Sequence, residues 1–182
     1  MIDRHFEKLS AEHYRSGLTL RFKVNPDSCG NPDHYESYLK FCAFSDKEHG
    51  LGTTHLFIEE NTETHVKAIM GFVTLRASSL TVECENYTEG HPALEISELA
   101  VDKKYERQGI GTDLVKLAVV EAGELNSDYL GIEYLVLCAD PASIDFYLHS
   151  KFNFDKLKDF FYLPREQWNV SCEPLFSKLH IF

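Results

Sequence analysis

The feature that most constrains the fold is a strand, a glycine-containing turn and a helix that follow one another between residues 94 and 124. The segment LEISELAV (94–101) has the length and apolar content of a strand. The charged segment KKYERQGIG (103–111) comes next, and residues 112–124 then place apolar side chains at the spacing of an amphipathic helix. Any fold proposed for the chain must therefore contain a strand that leads into a helix through a short, exposed turn.

Periodicity and turn residues predict the remaining elements in outline. They are a short helix within 1–17, a strand at 19–24, a helix at 32–44, a hairpin of strands at 55–58 and 66–75, a loop at 76–92, a strand at 132–139, a helix at 141–148 and a mostly strand tail at 152–182. The strand at 132–139 is nearly all apolar, which is typical of a strand covered on both faces. No repeat or linker interrupts the chain, so we expect one domain over residues 1–182.

The chain is acidic, with 18 Lys and Arg against 29 Asp and Glu and a formal net charge of −11. An acidic surface does not neutralise phosphates, so general binding to nucleic acid or to anionic membranes is disfavoured. The N-terminal segment MIDRHFEKLS carries early charges and no apolar export region. The longest apolar run, at 134–139, is far shorter than the roughly 20 residues of a membrane-spanning helix. We expect a cytoplasmic protein without a membrane partner.

Five cysteines, Cys29, Cys42, Cys84, Cys138 and Cys172, lie far apart and form no C-x-x-C motif. Their odd number and wide spacing predict free thiols in a reducing compartment, most of them buried as small hydrophobic side chains. The nine histidines show no metal-ligand spacing such as H-E-x-x-H, so no metal site is expected.

The turn RQGIGT (107–112) has the residue types of a phosphate cradle. Gly109 and Gly111 let the backbone approach a ligand closely and adopt conformations that a Cβ forbids. The amides in the first turn of a helix have no internal partner and lie at the positive end of the helix dipole. The segment therefore predicts a phosphate site made of main-chain groups, with a tight strand-to-helix turn that binds nothing as the alternative. It is neither a Walker loop nor the three-glycine dinucleotide fingerprint.

Three segments in this order resemble the GNAT acetyltransferases. The stretch ELAVDKKYERQGIGTDLV (98–115) resembles their first motif, a strand followed by a charged turn, a Gln/Arg-x-x-Gly-x-Gly/Ala pattern and a helix. The stretch SIDFYLHSKFNF (143–154) resembles their second motif, and IMGFVTL (69–75) resembles the hairpin strand that precedes the first. The resemblance covers roughly residues 55–155. We expect an α/β fold with a mixed, mostly antiparallel sheet of six or seven strands and helices on both faces.

Three departures from the family pattern stand out. Glu106 occupies the first position of the phosphate pattern, where the family has Gln or Arg. Asp140 and Ser143 stand where Asn and Ala are common. The Gly-Phe pair after the second-motif tyrosine is missing, and Asn153-Phe154 lies two residues beyond its usual distance. Asparagine tolerates the left-handed conformation, so a two-residue extension is expected there.

The resemblance implies acetyl-CoA as the acyl donor. The main chain of Gln108, Gly109, Gly111 and Thr112 would hold the pyrophosphate, and the strand end would pair with the pantetheine arm as an added strand does. The strands that end at Val101 and Ala139 would splay to form the cofactor slot. The cofactor contacts implied by the resemblance are Leu99, Ala100 and Val101 on the strand, and Arg107, Gln108, Gly109, Ile110, Gly111 and Thr112 in the turn.

Acetyl transfer to an amine requires that the ammonium lose a proton and that the departing thiolate gain one. The resemblance implies Glu95 as the general base, because a glutamate lies at this spacing from the motif in the histone acetyltransferases of the family. Glu98 is the competing candidate, and strict strand alternation would put the two on opposite faces. Tyr147 matches the tyrosine that protonates the leaving sulfur, and its neighbour Phe146 is expected in the core.

The leading hypothesis is an N-acetyltransferase that acts on a primary amine by direct transfer in a ternary complex. A second hypothesis comes from the segment DSCGNPDHYESYLKFCAF (27–44), which with GTTHLFI (52–58) and GFVTLR (71–76) loosely resembles the toxin branch that acetylates aminoacyl-tRNA. The net charge of −11 opposes it, and Glu98 stands where that branch often has Arg. A catalytically degenerate acyl-CoA-binding protein is the third hypothesis. The acceptor and a homodimeric state stay open.

Overall fold

The computed structural model describes residues 1–157, 161–162 and 172–179. Its strands are β1 (Ile2–Lys8), β2 (Thr53–Asn61), β3 (Val66–Glu83), β4 (Thr88–Val101), β5 (Tyr134–Ala139), β6 (Asp155–Lys156), β7 (Phe161–Tyr162) and β8 (Glu173–Lys178). Its α-helices are α1 (Ala11–Arg15), α2 (Pro32–Ser37), α3 (Ala43–Glu48), α4 (Ile110–Asp128) and α5 (Ile144–Leu148). Over these residues, none of the helices combines the length and the apolar composition needed to cross a membrane.

The described strands form a mixed sheet in the order β1-β2-β3-β4-β5-β8-β6, with β7 paired to β3. The ladder between β4 and β5 is parallel, whereas β1 with β2, β2 with β3, β3 with β7, β5 with β8 and β6 with β8 are antiparallel. The predicted α/β class with a mostly antiparallel sheet is confirmed. The sheet has eight strands among the described residues, two of which are only two residues long.

The chain divides into two compact units, Met1–Leu75 with Glu98–Lys116, and Arg76–Ser97 with Leu117–Phe182. The expectation of one domain over residues 1–182 therefore stays a prediction. The long strands β3 and β4 and the helix α4 each contribute residues to both units.

The first unit is built on the hairpin of β2 and β3 and a helical run from Pro32 to Glu48. Asn31 caps this run by accepting a hydrogen bond from the amide of His34 at 3.3 Å, and Pro32 occupies a first-turn position where its missing N–H is not needed. A π-helical turn, Tyr38–Cys42, joins α2 to α3. The predicted helix at 32–44 and the predicted hairpin are both confirmed.

The strand predicted at 19–24 is wrong, because the chain forms a 3₁₀ turn at Thr19–Arg21 and then runs extended. Leu18 and Phe22 are both buried, a spacing of four that suits a helical turn, and the Phe22 ring meets Phe72 edge-on at 5.4 Å. The amides of Lys23 and Val24 donate to the carboxylates of Asp102 and Glu36, so this segment obtains its hydrogen bonds without a strand partner.

The N-terminal segment contains the expected short helix, α1, and the strand β1 that precedes it was not predicted. The strand pairs with β2 over its whole length, from Ile2 opposite Asn61 to Lys8 opposite His55. The Phe6 ring stacks on Phe57 with centroids 4.4 Å apart. The strand forms because it pairs with a distant segment, and the local sequence of residues 1–17 does not indicate that pairing.

The loop predicted at 76–92 is confined to residues 84–87, because β3 continues to Glu83 and β4 begins at Thr88. Leu80 and Ala93 are buried in a cluster with Tyr134 and Val136 in the second unit. A single buried leucine in a polar stretch is a weak sequence signal for a strand, although its Thr and Val neighbours favour extended structure.

The second unit places β5 between β4 and β8. Its parallel ladder with β4 runs from Ala93 opposite Tyr134 to Ile96 opposite Leu137. The predicted helices at 112–124 and 141–148 are confirmed as α4 and as a 3₁₀ turn leading into α5. The strand-rich tail is confirmed in β6, β7 and β8, and its residues 158–160, 163–171 and 180–182 lie outside the described residues.

Cys138 and Cys172 form a disulfide, so the prediction of free thiols is wrong for these two residues. Antiparallel pairing of β5 with β8 sets Cys138 opposite Pro174, which brings the two cysteine Cα atoms to 5.6 Å, within the usual bridging distance. Cys29, Cys42 and Cys84 are free thiols, as predicted, but they are not buried: Cys42 is exposed and the other two are half-buried.

Gly71 on β3 marks a close approach of backbone to side chains in the first unit. A Cβ built there would lie 2.9 Å from the carbonyl oxygen of Ala100 and 2.9 Å from Leu114, and 3.1 Å from Ile110. The residues it would touch belong to the end of β4 and the start of α4. A side chain at position 71 would therefore displace the turn between those elements.

We predict that Gly71→Ala lowers the free energy of unfolding by about 1–3 kcal/mol, the usual cost of overpacking. Gly90→Ala is the matched control, because a Cβ at Gly90 meets no atom within 4 Å. Chemical denaturation of both variants measures the difference. Equal stability of the two variants would contradict the prediction.

Candidate functional site

The turn between β4 and α4 is anchored by Asp102, a buried residue of the first unit. The Asp102 amide donates to the carbonyl of Met70 at 2.8 Å. Its carboxylate accepts the amides of Lys23 and Lys104, both at 2.9 Å. The Tyr105 amide donates to the Asp102 carbonyl at 2.8 Å. One short side chain thus ties β4, the extended segment after the 3₁₀ turn and the first part of the turn together.

Two residues with positive φ shape the rest of the turn. Arg107 has φ of 59° and Gly109 has φ of 84°, a conformation that glycine adopts without the strain of a Cβ. The helix then begins at Ile110, and the Asp113 amide donates to the Gly109 carbonyl at 3.1 Å. The preceding first-turn amides have no carbonyl partner within the helix, as at any helix N-terminus.

The exposed part of this turn, which we call the amide turn, consists of residues 107–112. Arg107, Gln108 and Gly109 are exposed, and a Cβ built on Gly109 meets no atom within 4 Å. Ile110 is buried and fixes the start of α4. The open space, the main-chain donors and the dipole of a 19-residue helix fit a diphosphate group. These residues can therefore hold the phosphates of a nucleotide cofactor.

Glu106, the departure from the family pattern, has a structural role. Its carboxylate accepts a hydrogen bond from the side-chain amide of Asn25 at 2.9 Å and another from the hydroxyl of Ser28. Asn25 in turn accepts the amide of Asp27 at 3.1 Å, which closes a local turn. The carboxylate thus fastens the loop at residues 25–28 beside the amide turn.

Glu95, the first candidate base, is buried at 4% exposure in the second unit. Arg76 binds both of its oxygens, from Nε to Oε2 at 3.0 Å and from Nη2 to Oε1 at 3.2 Å. A guanidinium paired in this two-point manner stabilises the charged carboxylate and occupies lone pairs that would receive a proton. The role of Glu95 as a base stays a prediction.

Glu98, the competing candidate, lies in the first unit and binds His34. Its Oε2 lies 2.9 Å from Nε2 of the imidazole. The His34 ring meets Tyr35 edge-on at 5.2 Å and lies over Tyr38 at 6.4 Å. The hydrogen bond to Glu98 raises the pKa of His34 above its ordinary value, while partial burial opposes the shift.

His34 was not among the predicted site residues, because 64 positions separate it from Glu98 and a single sequence does not link the two. The signal that was present is local. The segment NPDHYESY begins a helix at Pro32 and places His34 and Tyr38 four residues apart, which puts them on one face of the helix.

Tyr147 on α5 is buried at 6% exposure in the second unit. Its ring meets Phe146 at 4.9 Å and Phe154 at 5.5 Å, both edge-on. Burial raises the pKa of Tyr147, so its hydroxyl keeps its proton at neutral pH and can donate it. Phe146 is 38% exposed, so the expectation that it lies in the core is wrong. Asn153 has φ of 55°, the left-handed conformation expected after the second motif.

A separate group of His5, Glu7 and Glu60 on the first unit has ligand atoms within 4.8 Å of one another. The ammonium of Lys67 already lies 2.5 Å from Glu7 and 3.7 Å from Glu60. Burial by itself would raise the pKa of Glu7, but hydrogen bonds from Lys67, His5 and His13 outweigh it and lower the pKa to about 2. The group is an ion-pair cluster in which a lysine supplies the cation.

Comparison with known proteins decides the family. The model of the Acetyltransferase (GNAT) family matches residues 18–154. The chain belongs to the GNAT acetyltransferase family. The resemblance found in the sequence is thereby confirmed, as is the prediction of an acyltransferase, and proteins of the GNAT family bind acetyl-CoA. No curated relative matches the sequence.

Solved structures with the same fold include proteins described as toxins. One described only as a bacterial toxin has a TM-score of 0.72 at 17% identity, covering 98% of this chain and 92% of that one. A Tyr-to-Phe mutant of the toxin AtaT has a TM-score of 0.70 at 17% identity, covering 97% and 90%. A Tyr-to-Phe mutant of KacT has a TM-score of 0.70 at 18% identity, covering 97% and 95%. At these identities the likeness shows the GNAT fold.

We predict that Arg76→Gln lowers the free energy of unfolding by about 1–3 kcal/mol, because it leaves the buried Glu95 carboxylate without its two charged donors. The Arg76 side chain is 40% exposed, so the loss falls below that of a fully buried pair. Lys156→Gln is the control, since it removes an exposed pair with Glu173 worth less than about 1 kcal/mol. Denaturant titration compares them, and an equal loss for both would refute the structural role of the Arg76 pair.

Proposed function

We propose that this GNAT protein transfers an acetyl group from acetyl-CoA to a primary amine, directly and within a ternary complex. The observation that carries the proposal is the amide turn, an exposed row of main-chain donors at the start of a long helix. Its neutral amides, with the Arg107 guanidinium beside them, suit the diphosphate of coenzyme A. Family membership supports the same donor, and one structural neighbour is the AtaTR complex bound with acetyl-CoA.

In this proposal the amide turn holds the diphosphate through Arg107, Gln108, Gly109, Ile110, Gly111 and Thr112. The main chain of Leu99, Ala100 and Val101 binds the pantetheine arm as an added strand would. The supporting geometry lies within the first unit, where β4 leads through the Asp102-anchored turn into α4.

The chemistry assigned to side chains concerns protons. The acceptor amine must lose a proton before it attacks, and either Glu95 or Glu98 is the proposed route for it. Tyr147 is the proposed donor to the leaving sulfur, because it stands at the position of the family's tyrosine in the second motif and its phenol is protonated at neutral pH. A backbone amide near Leu99 would stabilise the developing oxyanion.

The direct test is an acetylation screen of primary amines with acetyl-CoA, read by mass spectrometry. We predict acetylation of at least one amine, and a loss of roughly 10–100-fold in kcat for Tyr147→Phe with little change in the KM for acetyl-CoA, the size expected for one acid catalyst. Tyr129→Phe is the matched control, because Tyr129 is largely exposed at the end of α4.

Calorimetry with coenzyme A separates the alternatives. Binding of the coenzyme without turnover of any amine, unchanged in Tyr147→Phe, would favour the catalytically degenerate acyl-CoA-binding protein. An absence of binding heat would refute the proposed donor site itself.

A second candidate function is acetylation of the amino group of an aminoacyl-tRNA. One structural neighbour is AtaT complexed with acetyl-methionyl-tRNAfMet, with a TM-score of 0.69 at 18% identity over 97% of this chain. The net charge of −11 opposes a tRNA partner, because phosphate contacts need basic groups. We rank this candidate second for that reason.

We predict that tRNA binding, measured by gel shift at low and moderate salt, is absent or equally weak at both. A salt-sensitive shift, together with acetyl transfer from labelled acetyl-CoA to aminoacyl-tRNA, would instead establish the second candidate. Uncharged tRNA serves as the control for transfer, since it lacks the acceptor amine.

The expected cytoplasmic location is part of the proposal, and the oligomeric state stays open. The Cys138–Cys172 disulfide weighs against a reducing compartment, where such bonds are rare. Thiol alkylation of protein taken directly from cells reports whether the bond forms there, and light scattering measures the oligomeric state.

A further inference from the structure

The pair of Glu98 and His34 differs in kind from the pair of Glu95 and Arg76. Arginine keeps its charge at all working pH values, whereas histidine changes its charge near neutrality. The Glu98 side chain is largely covered, while the His34 side chain is 48% exposed. Glu95 is therefore paired with a permanent cation, Arg76. Glu98 is paired with His34, an exposed group that can take up and release a proton.

The hydrogen bond fixes the form of the His34 ring. Glu98 approaches Nε2, so a neutral imidazole carries its hydrogen on Nε2 and leaves the Nδ1 lone pair available. Within residues 1–157, 161–162 and 172–179, Nδ1 has no hydrogen-bond partner. A carboxylate on one ring nitrogen and an accessible lone pair on the other is the arrangement of a general base held by an orienting acid.

The surroundings of the ring favour a cationic acceptor. The rings of Tyr35 and Tyr38 lie beside His34, Tyr35 in an edge-on contact and Tyr38 in a stacked one, and aromatic rings attract ammonium groups. The Tyr38 hydroxyl donates to Asp46 on α3 at 3.0 Å, which places a second carboxylate at the hydroxyl end of that ring. In the part of the chain that the structure describes, the titratable groups in contact with His34 are Glu98 from β4, Tyr35 from α2 and Tyr38 from the π-helical turn, with Asp46 bonded to the Tyr38 hydroxyl.

The pair also lies close to the proposed donor segment. Glu98 directly precedes Leu99, the first residue proposed to bind the pantetheine arm, and both belong to the first unit. A base beside this segment is near the place where the acceptor nitrogen must meet the thioester.

We propose that Nδ1 of His34 is the group that removes the proton from the acceptor amine, and that Glu98 is the positioning residue that holds the imidazole. The proposal rests on the proposed acetyltransferase function and assigns the base within it. In this assignment the base is neither Glu95 nor Glu98 but His34, and Glu98 orients its ring.

The proton transfer balances as follows. One N–H bond of the ammonium breaks and its electron pair stays on nitrogen, while the Nδ1 lone pair of His34 forms a new N–H bond. The resulting imidazolium, next to the Glu98 carboxylate, later returns this proton to water. Tyr147 gives its phenolic proton to the departing thiolate, and the second amine proton, released as the amide forms, restores the phenol, so the turnover yields the amide, the thiol and one proton.

The test is the pH dependence of acetyl transfer by the full chain. The neutral ring is the active form, and Glu98 raises the pKa of His34, so kcat/KM of the wild type should fall as the pH drops through a midpoint above 6.5. We predict that His34→Gln loses roughly 100-fold in kcat and loses this limb. Glu98→Gln should keep the limb and shift its midpoint to lower pH.

Two measurements separate a base from a structural residue. Two acceptor amines of different pKa should share the same acidic limb if it belongs to the protein, and free imidazole should restore part of the activity of His34→Ala. His49→Gln is the matched control, since the His49 ring lies exposed on the first unit and bonds the carbonyl of Ser45. We predict that this variant keeps the wild-type rate and profile.

An unchanged acidic limb in His34→Gln, with loss of the limb in Glu95→Gln, would overturn this assignment and leave the acetyltransferase function standing. Loss of activity in His34→Ala without any rescue by imidazole, and with the limb retained in the residual rate, would make His34 structural. A wild-type protein that binds coenzyme A and acetylates no amine would overturn both the assignment and the proposed function.

Discussion

The buried carboxylate of Asp102 is the interaction on which the rest of the first unit depends. It accepts two main-chain amides from different parts of the chain, Lys23 and Lys104, at the point where β4 ends. These hydrogen bonds fix the backbone at the start of the turn. The left-handed residues Arg107 and Gly109 then set the path of the chain into α4. A row of donors fixed before a ligand arrives loses little conformational freedom on binding.

The carboxylates along this part of the chain have distinct partners, and their partners decide what each can do. Glu95 binds a guanidinium, Glu98 binds an imidazole and Glu106 binds an amide and a hydroxyl. The net charge of −11 describes none of this, because it averages over groups that are individually neutralised or engaged. Composition limits the classes of partner, whereas local pairing determines the chemistry.

Glycine positions and apolar periodicity predicted those elements whose conformation depends on residues adjacent in sequence. The strand, amide turn and helix α4 were recognisable because glycines and periodic apolar residues lie next to one another in sequence. The strand β1 and the extension of β3 to Glu83 were not, because their pairing partners are distant. The candidate site divides in the same way: Gly109 and Tyr147 lie in short motifs, but the His34–Glu98 contact arises only in the folded chain.

The covalent bond between Cys138 and Cys172 has a consequence for the element that carries Tyr147. The two cysteines are 34 positions apart, and α5 lies in the loop they close. Closing a loop of this size removes roughly 4 kcal/mol of chain entropy from the unfolded state. The free energy of unfolding of this chain therefore differs between oxidising and reducing surroundings. The helix α5, which carries Tyr147, lies in the segment that the disulfide closes only under oxidising conditions.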